Sequence, residues 1–256
     1  MRKIKLTIAI IFSLFILPVL LFGAWWTMKE RPASWRAADW SASGLLTPAE
    51  LADGPVIYVL AARTGGLKGA LSVHTWIVLK DEGGAYERYD KVGWGSPIRR
   101  NAYPPDGRWY SNPPYVVKAI SGDQAKRLIP LVREAIAAYP YAARGDYSIW
   151  PGPNSNSFVA HVLRSVPDLG VTMPSNAIGR DYQPGWAFFA YDRARGGIRF
   201  SLGGLAGFAA SRWGVEVNLL GLVAGADFHD PALLLPGFGR VAFWPQPAVA
   251  ATPDKG

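Results

Sequence analysis

The chain has 256 residues, half of them hydrophobic and 13% aromatic, enough for one large domain or two small ones with a sizeable core. It contains no cysteine, which excludes disulfides, thiolate zinc sites, a lipid-modified cysteine and a cysteine nucleophile. The formal net charge is +8, of which Arg2, Lys3 and Lys5 supply three; the other basic residues are scattered, without the stripe or module that nucleic-acid binding needs, so no nucleic-acid partner is expected.

Leu6 to Trp26 is a run without a charged residue. As a helix at ~1.5 Å per residue it reaches about 31 Å, the thickness of a bilayer core of about 30 Å. Pro18 is tolerable inside such a helix, and Trp25-Trp26 suit the interfacial belt. A cleaved signal peptide is the rival reading. Its apolar region is normally about 7–15 residues long and ends at a small-x-small site, which Phe-Gly-Ala-Trp-Trp-Thr-Met does not offer. Residues 1–28 are therefore read as an uncleaved transmembrane anchor. Arg2, Lys3 and Lys5 precede it and Lys29, Arg31 and Arg36 follow it; the amino terminus and Glu30 tip the balance towards a cytoplasmic N-terminus.

Residues 29–54 are a polar linker closed by a short helix, for which Thr47-Pro48-Ala49-Glu50 is a capping box and Gly54-Pro55 the stop. A core spans 55–190. Val56 to Ala62 reads as a buried strand, and Gly65-Gly66 turns the chain. Ser72 to Lys80 is a second strand, with Ser72, His74, Trp76 and Val78 on one face and Val73, Thr75, Ile77 and Leu79 on the other. Asp81-Glu-Gly-Gly84 makes a hairpin to an antiparallel strand, Tyr86 to Val92. A four-residue loop pairs positions summing to 165, which sets Lys91 opposite His74 with Asp90 one step away; a register shift of one residue would make Asp90 an orienting partner for His74. Gly93 to Pro114 is an ordered aromatic loop. Ser121-Gly-Asp-Gln124 is a second capping box, opening a helix to about Tyr139 that Pro130 would kink or split.

Asp146 to Trp150 reads as a short strand running into a Pro/Gly turn. A helix then starts at Asn154-Ser155-Asn156-Ser157, and Phe158, Val159, Val162, Leu163 and Val166 recur at helical spacing until Pro167. Residues 167–190 are loop-rich. Residues 191–245 form a Gly-rich β extension, with strands near 198–202, 214–223 and 239–244, either an extra layer on the core or a membrane-facing hairpin. Residues 246–256 are a disordered tail by composition.

The chemistry converges on the 154–157 helix start. A hydroxyl there sits in partial positive charge that favours a developing anion. Ser155 is the candidate nucleophile, His74 its base and Asp90 the orienting group. The plain alternatives are an N-cap for Ser155 or Ser157 and a half-buried strand histidine for His74. Trp76, Trp94, Arg99, Arg100, Asn154 and Asn156 are candidate ligand-binding residues; capping is the competing role for the two asparagines, and a solvated loop pair for the two arginines. His161 falls on the helix away from Ser155. His229, between Asp227 and Asp230, lacks a second histidine at ligand spacing and reads as a turn. Glu216 and Asn218 read as the solvent side of a strand. No phosphate-binding loop appears, and no cofactor or metal is expected.

Asn154-Ser155-Asn156-Ser157-Phe158-Val159 resembles the Asn-Cys-Glu-His-Phe-Val motif of the circularly permuted papain-like hydrolases and acyltransferases, which include cell-wall peptidases and the lecithin–retinol acyltransferase type. His74 precedes Ser155 in the order that family uses, but serine stands where its cysteine nucleophile would be. More closely, His74-Thr-Trp-Ile, Arg88-Tyr-Asp-Lys-Val-Gly-Trp94-Gly, Gly107-Arg-Trp-Tyr and Trp150-Pro-Gly-Pro-Asn-Ser-Asn resemble an uncharacterised bacterial family, domain of unknown function 3750, over roughly 55–185. The resemblance implies an α+β fold, a permuted papain-like antiparallel sheet packed on helices behind one transmembrane helix. The apolar run and its flanking charges predict a single-pass inner-membrane protein with a periplasmic bulk. Its degenerate pocket, between the His74 strand and the Ser155 helix, would bind a peptide, lipid or cell-wall ligand. The alternative is an active serine-variant amide or ester hydrolase or acyltransferase using Ser155 and His74.

Overall fold

The computed structural model describes residues 2–192 and 196–244. The expected tail at 246–256 lies outside the described residues.

Helix α1 (Arg2–Thr27) is long and apolar enough to cross a membrane. A π-helical turn over Phe12–Ile16 precedes Pro18, whose missing N–H cannot join a regular ladder. Phe15, Pro18, Phe22 and Trp26 recur on one side and are buried, whereas Ile4, Leu6, Ile8, Leu20 and Leu21 are exposed. The Trp26 indole donates to the Gly66 carbonyl at 2.9 Å, and the Arg63 guanidinium lies 4.3 Å over the Phe22 ring.

The first sheet is antiparallel. It holds β1 (Val56–Arg63), β2 (Val73–Lys80), β3 (Glu87–Lys91), β4 (Ile98–Arg100) and β5 (Tyr115–Ser121) in the order β4-β3-β2-β1-β5. Both faces are covered, so β2 is buried along its whole length. On one face α2 (Gly122–Ala137) and α3 (Ser155–Ser165) pack, bringing Phe158, Val159 and Val132 onto Ile57, Val59, Ile77 and Leu79. On the other face the linker and aromatic loop lay Leu46 and Trp109 over Tyr58, Leu60, Trp76 and Val78.

The structure departs from the sequence reading at several points. The helix expected from Thr47 is one turn, in which Leu51 and Ala52 both donate to the Pro48 carbonyl. So few residues before Gly54-Pro55 cannot repay helix nucleation. The hairpin pairs Ile77 with Tyr89 and Val78 with Arg88, a sum of 166, not 165. One more loop residue moves every β3 side chain to the other face. Arg99 and Arg100 lie in β4, not in a loop. Helix α2 runs unbroken through Pro130, and the Ser121 side chain makes no cap bond. Residues 146–150 are irregular, with cis bonds at Trp150–Pro151 and Gly152–Pro153, not a strand; the Trp150 indole donates across to the Leu220 carbonyl at 2.9 Å.

A second antiparallel sheet runs in sequence order: β6 (Ala187–Asp192), β7 (Gly197–Leu202), β8 (Ala206–Ser211), β9 (Gly214–Leu219), β10 (Leu222–Asp227), β11 (Ala232–Leu235) and β12 (Gly239–Ala242). The expected 214–223 strand is divided by Leu220-Gly221, both at positive φ. The register places Arg199, Ala209 and Glu216 in one row and Phe200, Phe208 and Val217 in the next, on opposite faces. Glu216 and Asn218, expected on the solvent side, are buried, while Val215 and Val217 are exposed. The 180–181 loop supplies the partners that make this inversion possible. The middle of α1, Phe12–Ile16, lies against β10, and Phe22 meets Phe238 edge-on at 4.9 Å in the β11–β12 turn.

Candidate functional site

The register brings His74, Trp76, Arg88, Asp90 and Arg99 onto the aromatic face of the first sheet. His74 is 3% exposed; its ring stacks flat on Trp109 at 3.6 Å between centroids. His74 Nε2 lies 3.6 Å from Asp90 Oδ2, close enough for charge coupling but long for a hydrogen bond. Arg88 holds that carboxylate at 2.9 Å, donates to the Pro104 carbonyl at 2.9 Å, and stacks 4.2 Å over Trp76. Burial lowers the His74 pKa, more than Asp90 raises it. Burial would raise the Asp90 pKa, but His74 and Arg88 together hold it below the usual carboxylate range. Trp76 is sealed beneath, its indole donating to the Pro105 carbonyl. Trp94 is at the surface, where Arg99 donates to its carbonyl at 2.7 Å. This is a closed polar knot pinning the aromatic loop to the sheet.

The α3 start lies on the other face. Asn154 Oδ1 accepts from the N–H groups of Asn156 and Ser157, and the Ser157 hydroxyl accepts from the Asn154 N–H, a reciprocal capping box. Asn156 is a clip: its amide donates to the carbonyls of Val73 and Ile178, and its oxygen accepts from Thr75 Oγ1 at 2.9 Å. Thr75 and His74 are neighbours on a strand, so they point to opposite sides. His74 is thus directed away from α3, and the expected pairing of His74 as base with Ser155 as nucleophile is not the arrangement present. The α3 face is built from the odd-numbered residues of β2, and His74 belongs to the even set. Ser155 itself is buried. Arg100 pairs with Glu87 at 2.6 Å, apart from the Arg99 cluster.

An open cavity lies elsewhere, at the seam between α3 and the second sheet. It has a volume of about 270 Å³. Its apolar wall includes Ala160, Leu163, Val171, Met173 and Phe188, and its polar end Arg164, Arg180, Asp181, Asp192 and Arg199. Arg180 is paired to Glu216, and Arg199 to Asp181 at 2.7 Å. Arg164 donates to the Arg180 carbonyl at 3.1 Å but has no carboxylate at ion-pair distance among the described residues. Burial lowers its pKa to about 10, with Arg199 adding to the fall against the pull of Asp181.

A family model matches residues 54–182. The chain belongs to that family, Protein of unknown function (DUF3750). The family's span takes in the first sheet, the aromatic loop, both packed helices and the 180–181 loop, and stops short of β6. No curated protein and no solved structure matches the chain. Inside that span the motif residues His74, Arg88, Asp90, Trp94 and Trp109 are drawn together by the fold. The cavity residues Arg164, Arg180 and Arg199 were not singled out by sequence reasoning. The one available cue was polar residues alternating with valines at 215–218.

Proposed function

We propose that this chain is a membrane-anchored protein of the bacterial envelope that binds an anionic amphiphile in the seam cavity. Its core would be a papain-like scaffold without a catalytic pair, anchored in the inner membrane by α1 with its bulk in the periplasm. What supports the anchor is the length and apolarity of α1. The papain-like part rests on the order of parts, a histidine strand followed by a helix start packed on an antiparallel sheet. The observation that carries the binding reading is Arg164. Among the described residues it is a guanidinium without a carboxylate at ion-pair distance, at the polar end of a cavity whose other walls are apolar. An acyl chain along Leu163, Val171, Met173 and Phe188 with a carboxylate or phosphate at Arg164 would satisfy both halves.

The test is photocrosslinking of the detergent-purified full chain with a diazirine-bearing long-chain fatty acid, followed by peptide mapping. Adducts are expected on peptides spanning 160–173 and 188–199, and Arg164→Gln should reduce them severalfold. Adducts spread over α1 alone would refute the cavity. The enzyme alternative has its own readout: no fluorophosphonate labelling of Ser155 is expected, and labelling abolished by Ser155→Ala would restore it.

A further inference from the structure

The second sheet is inverted relative to an ordinary half-buried sheet. Its inner rows hold Ser201, Asn218, Arg199 and Glu216; its outer rows hold Phe189, Phe208, Val215, Val217, Leu233 and Val241. The outer side chains are open, Phe189 at 66% and Val217 at 51% exposure. In water, a one-sided antiparallel sheet turns its polar alternates outward. A continuous apolar face marks a contact surface, and polar-in, apolar-out alternation is the pattern of strands that face lipid.

Helix α1 identifies the medium. Its middle turn, Phe12–Ile16, lies against β10, and Phe22 packs on Phe238. A bilayer crossed by Leu6–Trp26 therefore brings the second sheet to the membrane as well. Six-residue strands such as β9 reach about 20 Å at ~3.4 Å per residue, short of a core of about 30 Å, so the sheet enters one leaflet without crossing. Backbone at the β6 and β12 edges has no hydrogen-bond partner in hydrocarbon, so the face rather than the edges takes the lipid. At one end the turns carry Arg212, Trp213, Phe228 and His229, with Trp213 stacked on His229 at 4.9 Å and Arg212 5.5 Å over Trp213. Aromatic and basic residues gathered at strand ends are the composition of a headgroup belt.

We propose that the outer face of β6–β12 is a lipid-contacting surface seated among the acyl chains of one leaflet; this rests on reading α1 as the membrane helix. The absence of cysteine makes the test clean. Val217→Cys, Leu233→Cys, Leu14→Cys and Leu131→Cys, each in the full chain and each exposed in the fold, would carry an environment-sensitive fluorophore. The proteins would be reconstituted in phosphatidylethanolamine–phosphatidylglycerol vesicles doped with chain-nitroxide lipid. Labels at 217 and 233 should lose most of their fluorescence, as the label at 14 does, while the label at 131 on α2 keeps its own. Quenching at 14 without quenching at 217 and 233 overturns the lipid face and leaves the anchor standing. No quenching at 14 overturns the anchor, and the lipid face with it. Dry but unquenched labels at 217 that crosslink to a second copy would assign the face to self-association and also overturn the proposal.

Discussion

His74 shows what one residue's surroundings can decide. Its place on a strand and its face were legible from alternation. The face on which the Ser155 helix packs was not, because alternation defines two faces without saying what covers each. Asp90 reaches His74 only because the hairpin loop holds one residue more than the Asp-Glu-Gly-Gly count allows. That count is a local feature of the turn, and it sets β3's face globally. The buried ring also makes a pH prediction. An unfolded histidine titrates near ~6.5, whereas burial keeps the folded His74 below that value. As pH falls through about 6.5 the unfolded chain gains a proton that the folded chain does not, so stability present above that pH is lost below it. His161 is displaced the same way, by burial and then Arg164, and contributes to the same window. His74→Gln should therefore flatten the fall in Tm between about pH 7 and 5, and His161→Gln should remove a separate part of it. An unchanged slope in His74→Gln would mean that the folded ring takes up its proton over the same pH range as the unfolded one.

At the scale of elements, the sequence is most informative where partners are local. The Asn154–Ser157 capping box is written in four consecutive residues, and it forms as a reciprocal pair. β4 and β5 were hidden, since a three-residue strand beside Pro and Gly carries no periodicity and β5 depends on β1 lying next to it. Residues 146–150 have strand-like composition but no neighbouring strand to pair with. The α3 cap also depends on a distant position. Gly179 sits at φ +97°, and a Cβ there would overlap the Asn154 side chain, whose amide donates to Ile149 and Ile178 carbonyls. Asn154→Ala should cost ~1–2 kcal/mol in urea unfolding, at the high end for a cap. Gly179→Ala should cost a similar amount by displacing that same side chain. Because both act through one group, the double variant should be only slightly worse than either single change. Full additivity would show that Gly179 matters for its own backbone and not for the cap.

For the whole molecule, the decisive feature is the polar seam that joins the family core to the second sheet. Glu216 lies on a strand whose valines looked like the inner face, and only the Arg180-Asp181 loop, far away in sequence, reverses that assignment. Arg180 and Glu216 are 5% and 4% exposed and directly paired. Burial would raise the Asp181 pKa, but Arg180 and Arg199 hold it below the usual carboxylate range. Glu216→Ala would leave the Arg180 guanidinium buried without its main partner, at a cost of ~3–5 kcal/mol. Arg180→Met with Glu216→Leu removes both charges and fills the space with apolar atoms, and should recover most of that loss, since buried ion pairs exchange with hydrophobic pairs at little net cost. Unfolding followed by tryptophan fluorescence gives the energies, and limited proteolysis between 183 and 186 reports whether the second sheet has come away. Glu216→Ala should expose that segment to protease, and the double variant should protect it. If the single and double variants are cleaved equally, the seam needs its charges for geometry, since α1 and β10 would then be insufficient to hold the two sheets together.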